Sequence, residues 1–96
     1  MTEVDPHFYD RADALIELAN AQLAGAARGP VNDSLVYATA RFNAWISACG
    51  HASAAEMAAA KAETLAAFVE QYRRLLEANL DDYIARFDAY QSAGKR

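Results

Sequence analysis

The stretch SAAEMAAAKAETLAAFVEQYRRLLEANLDDYIARFDAY, residues 53–90, decides the fold. It opens with Ser53-Ala54-Ala55-Glu56, a capping box in which hydroxyl and carboxylate satisfy the free amides of a helix start. Behind it an apolar stripe recurs at helical spacing: Ala58, Ala62, Leu65, Val69, Tyr72, Leu76, Leu80, Tyr83, Phe87 and Tyr90. Phe68, Leu75 and Ile84 widen it, and Glu63, Glu70, Arg74, Glu77, Asp81 and Asp88 line the far side. Glu70 with Arg74 and Asp82 with Arg86 are i,i+4 pairs in the favourable order, each adding ~0.3 kcal/mol. No Gly or Pro interrupts the run before Gly94. Continuous from Ala54 to Gln91, this helix is about 57 Å long.

Two shorter helices precede it. Asp5-Pro6 starts the first: the carboxylate can cap, and proline suits the first helical position. Phe8, Ala12, Leu15, Ile16, Ala19 and Leu23 share its apolar face; Asp10, Asp13, Glu17 and Asn20 lie opposite. It should fade at Ala24-Gly25, with Gly29-Pro30 barring continuation. The second helix is expected to begin at the N-cap Asn32, with Val31 and Val36 as a hydrophobic staple. Leu35, Ala38, Thr39, Phe42, Trp45, Ile46 and Cys49 form its buried face, and Gly50 suits a left-handed C′ position.

The expected fold is therefore all-α: a small antiparallel three-helix bundle with a long third helix, one domain over residues 1–96, disordered at 1–4 and 92–96. Helices of roughly 25–30 Å cannot cover a stripe of about 57 Å. Leu80, Tyr83, Ile84, Phe87 and Tyr90 are left without an intrachain partner, and an exposed patch of that size is unusual on a monomer. Either the overhang pairs with a second copy in a two-fold dimer, or the chain breaks near Asn79–Asp82 and folds back a fourth helix. Continuity is the stronger reading, since every residue there tolerates a helix.

Composition agrees. The 96 residues include 24 alanines; 54% are hydrophobic, with four glycines and two prolines, which excludes disorder, collagen and a disulfide scaffold. A net charge of −4 argues against a phosphate-gripping nucleic-acid binder. The acidic start Met1-Thr2-Glu3-Val4-Asp5 does not read as a signal peptide, and no segment reaches the ~20 apolar residues of a membrane span. With the single Cys49, these features lead us to expect a soluble cytoplasmic protein.

Candidate chemistry is sparse. Asp10, Asp13 and Glu17, or Glu77 with Asp81, could offer oxygen ligands to a hard cation, but they read as solvated helix faces. No Glu-x-x-His pair suits a bundle metal site, and neither a metal nor a cofactor is expected. Cys49 lies at the negative end of its helix, which does not activate a nucleophile, so it reads as a packed structural residue. His51 is placed to meet the last carbonyls of that helix. The aromatics Tyr9, Tyr37, Trp45, Tyr72, Tyr83 and Tyr90 read as core or interface. Asn20, Asn43 and Asn79 fall one per helix within or beside apolar stripes, with Tyr37 and Arg41 flanking Asn43. They suggest a buried polar network fixing register, or a ligand pocket between helices.

Three blocks resemble a family. They are Phe8-Tyr9-Asp10-Arg11-Ala12-Asp13 with Ile16-Glu17-Leu18-Ala19-Asn20; Tyr37-Ala38-Thr39-Ala40-Arg41-Phe42-Asn43-Ala44; and Gln71 through Tyr83. Together they resemble the small bacterial domain-of-unknown-function family numbered 3144. The resemblance implies a short cytoplasmic bacterial protein without an assigned activity, and it draws interest to Asn20, Arg41, Asn43 and Asn79. The functional expectation is a homo-oligomeric protein–protein interaction module, a dimer, with no catalytic residue assigned and a further protein partner open. The alternative is a small-ligand binder or enzyme with a pocket lined by Tyr37, Arg41, Asn43 and Asn79. A cavity at those side chains with Arg41 unpaired inside it favours the second; a filled core with Arg41 paired to a carboxylate favours the first.

Overall fold

The computed structural model describes residues 5–93, with side chains through Gln91. Among them the protein is all-α, with no strand: α1 Phe8–Gln22, α2 Arg28–Cys49, α3 Ala54–Ala59, α4 Lys61–Ala85 and α5 Phe87–Ala93. The chain divides into two compact units, one reaching to Ala38 and one from Thr39 onward, with α2 contributing to both. The ends expected to be disordered fall on 1–4 and 94–96, outside the described residues, and on Ser92 and Ala93, whose backbone belongs to α5.

In the first unit, Asp5 shapes the entry to α1 without being its N-cap. Its Oδ1 accepts from the His7 amide at 2.9 Å, its carbonyl accepts from the Phe8 amide at 3.2 Å, and its carboxylate pairs with Arg11. The helix begins only after this turn, at Phe8, and closes at Leu23, whose amide donates to the Asn20 carbonyl at 3.0 Å. The start of α2 corrects the sequence reading. It lies at Arg28 rather than at Asn32, and Pro30 falls inside the first turn. A proline there forfeits no hydrogen bond, because the first amides of a helix have no acceptor in any case. The helix therefore forms upstream, its first bond running from the Val31 amide to the Ala27 carbonyl at 3.2 Å, and Asn32 and Val31 lose their capping and stapling positions. Val31 is the one buried residue among those described.

In the second unit, α2 ends at Cys49, as its Gly50 signal requires. Gly50 does not take the left-handed conformation. Its amide instead donates to the Ser47 carbonyl at 3.0 Å, a tightened last turn. The His51 Nδ1–H donates to the same carbonyl at 2.7 Å, the role expected of it. Half of the capping box forms as expected: Ser53 Oγ accepts from the Glu56 amide at 3.1 Å, while Glu56 Oε1 reaches one residue past the N-cap and accepts from the Ala52 amide at 2.8 Å.

The long helix is jointed at two single residues, Ala60 and Arg86. At Ala60 the amide is shared between the Glu56 and Met57 carbonyls, both at 3.2 Å. The alternative break does not occur, since α4 runs unbroken through Asn79–Asp82. Asn79 has been absorbed into the helix; its Nδ2 donates back to the Leu75 carbonyl at 2.8 Å.

The apolar stripes read from the sequence are present but not covered. Large apolar side chains remain 42% exposed at Leu35 and Leu76 and up to 74% at Tyr9, and Trp45 is 60% exposed. Cys49 is likewise exposed rather than packed. Helical periodicity is a local property of the chain, whereas cover for the stripe must come from elsewhere in the molecule or from another copy.

Candidate functional site

The second unit holds a groove of about 550 Å³ between the last turns of α2, α3 and the start of α4. Small residues, Ala40 and Ala44 on α2 and Ala58 on α3, leave it open, and Met57, Leu65 and Phe68 give it apolar walls. Asn43, Ser47, Lys61 and Thr64 supply its polar groups. Asn43 is half-buried there, the only member of the expected polar set that lines it.

The other members are dispersed. Asn20 is half-buried on α1 in the first unit. Tyr37 is 65% exposed, and Arg41, one turn further along α2, is exposed with no ion pair among the described residues. Asn79 is exposed and bonded to its own helix. Neither discriminating arrangement is seen among the described residues: Arg41 does not line the groove and makes no ion pair with a described carboxylate. The groove residues Ser47, Lys61 and Thr64 were not singled out from sequence, because isolated polar residues on an alanine-rich helix carry no motif.

Electrostatics concentrate on α4. Arg73 grips Glu70 through two bonds, Nε to Oε1 at 3.0 Å and Nη2 to Oε2 at 2.9 Å, and reaches Glu77 with Nη1 at 2.9 Å. Arg74 adds a contact to Glu70 at 3.6 Å, and Arg86 to Asp82 at 3.5 Å, so both expected i,i+4 pairs form. Arg73 itself was overlooked, though its i−3 and i+4 carboxylates were visible in the sequence. Its hydrogen bonds to Glu70 hold that carboxyl below the ordinary range, with the nearby Arg74 charge adding to the effect. The guanidinium of Arg73 is raised in turn, first by Glu70 and then by Glu77. Glu77 pairs with Arg73, and no group of three or more His, Cys, Asp or Glu placed to hold a metal ion occurs among the described residues.

The expected interface residues divide into two groups. Leu80, Ile84 and Phe87 are exposed. Tyr83 and Tyr90 are half-buried against each other, their rings stacked at 4.0 Å. Seven residues of straight helix would set them about 10 Å apart along the axis; the joint at Arg86 brings them together. Tyr90 Oη donates to Asp82 Oδ2 at 2.6 Å. That bond raises the Tyr90 phenol above its ordinary range, since the neutral hydroxyl is the donor; desolvation and the Asp82 charge act in the same direction.

Among the described residues no helix is long and apolar enough to cross a membrane. The family described as "Protein of unknown function (DUF3144)" matches residues 8–84. No curated protein and no solved structure matches the chain.

Proposed function

The chain belongs to the DUF3144 family, and from that premise we propose that it is a homo-oligomeric helical interaction module whose core is completed by association. One observation carries the reading: among the described residues Val31 alone is buried, while most of the large apolar residues of the long helices stand 42–74% exposed. Contiguous apolar surface on that scale marks an interaction site. A dimer is the simplest closed assembly, and two-fold symmetry asks only that one face complement itself. Scattered polar residues without a shared pocket support the same reading over catalysis. The single, exposed Cys49 is compatible with a reducing setting, and the bacterial cytoplasm is the setting proposed.

Light scattering over a micromolar concentration series tests the proposal. A dimer or larger mass is expected, with Phe87→Glu lowering it by placing a charge on an exposed apolar face. A monomer at every concentration would overturn it. The small-ligand alternative draws on the groove at Asn43 and Met57. It predicts a thermal shift with apolar ligands that Ala44→Phe, which fills the groove, removes.

A further inference from the structure

The unbroken course of α4 gives its apolar stripe a symmetry. Leu65, Val69, Tyr72, Leu76, Leu80 and Tyr83 lie on α4, and Phe87 is the first residue of α5. The successive spacings are 4, 3, 4, 4, 3 and 4, which read the same in both directions. They also form an 11-residue repeat, Leu65-Val69-Tyr72 and then Leu76-Leu80-Tyr83. Eleven residues make close to three turns, so the stripe from Leu65 to Tyr83 stays on one face of α4, while Phe87 lies past the joint at Arg86. Apart from Tyr83, these side chains are 42–59% exposed.

We propose that the occupant of this face is α4 of a second copy, running antiparallel and crossing at Leu76; the proposal rests on the assembly reading above. Reversal about Leu76 sets Val69 against Tyr83, Tyr72 against Leu80, and Leu76 against itself, all within α4. Each apolar group thus meets another, the self-complementarity an isologous interface requires. The charges agree. At 100° per residue, Arg73 and Glu77 lie on the same flank of the stripe. Like flanks adjoin in an antiparallel two-fold pair. The reversal carries Glu77 of the second copy to within about 3 Å of the level of Arg73, so two reciprocal ion pairs form. Arg73 already holds Glu77 of its own chain at 2.9 Å, so its guanidinium projects on that flank.

Disulfide mapping in the full chain, in a Cys49→Ser background, tests the register. Leu76→Cys should cross-link to itself on mild oxidation, because facing helices 8–10 Å apart bring opposed Cα atoms into disulfide range. Val69→Cys should not, because its two copies lie about 21 Å apart along the axis. Mixing Val69→Cys with Tyr83→Cys should restore the link. Circular dichroism confirms that each variant keeps its helix content. Self-linkage of Val69→Cys would overturn the antiparallel pairing. So would a Leu76→Cys variant that stays unlinked in a protein light scattering shows to be dimeric, and the assembly reading would then survive. A monomeric unmodified protein would remove both.

Discussion

Leu80→Ala separates an assembled stripe from a solvated one. Leu80 is 53% exposed in the single chain. Full burial of a leucine is worth about 1.5–3 kcal/mol, so covering its exposed half contributes about 1 kcal/mol per chain. A two-fold dimer carries two copies, and truncation should cost about 2 kcal/mol of association, or roughly 30-fold in Kd. Alanine is the better helix former, so helix content should not fall and a lower assembled mass cannot be blamed on melting of α4. The assay is a dilution series followed by light scattering and circular dichroism, with Gln71→Ala on the back of the helix as control. If the stripe were solvated, losing an exposed leucine would leave mass and melting unchanged. A Kd within threefold of the unmodified protein would refute the reasoning.

Three further outcomes follow from local structure. Ser53→Ala removes the hydroxyl that accepts from the Glu56 amide and should destabilise the start of α3 by about 1 kcal/mol, read as faster exchange of the Glu56 amide. The Glu70 carboxyl is lowered from 4.5 by Arg73, so its stabilisation is complete above that value and lost as pH falls through the lower folded-state value. An acid titration by circular dichroism should show α4 losing helix there, a component that Glu70→Gln abolishes. The Tyr90 phenol is raised from 10.0 by donation to Asp82, so its contribution holds below that value and is lost as pH rises through the folded-state value. Spectrophotometric titration should find one late-ionising tyrosine, which Tyr90→Phe removes while keeping the ring stack.

The sequence by itself determined what depends on near neighbours. Ser53, Glu56 and His51 act within a turn or so of where they stand, so the start of α3 and the end of α2 were legible. The same holds for the Glu70–Arg74 and Asp82–Arg86 pairs, which need only helical spacing. Even Pro30 misled for a local reason: it bars a helix from within but not from the first turn, and spacing alone does not say where the first turn lies. The joints at Ala60 and Arg86 carry no glycine or proline to announce them. The stack of Tyr83 on Tyr90 exists only because the chain bends between them. Asn20, Asn43 and Asn79 fall within or beside the stripes, with Tyr37 and Arg41 flanking Asn43, but stripe position fixes a helix face and not the neighbour across from it. Tertiary structure decided that Asn79 bonds its own helix and that Asn43 lines a groove with Ser47, Lys61 and Thr64. It also decided that Val31 alone is buried among the described residues. Periodicity aligns apolar groups at the cost of local backbone order, but burial needs a second surface, and which surface arrives is set by contacts distant in the chain or outside it.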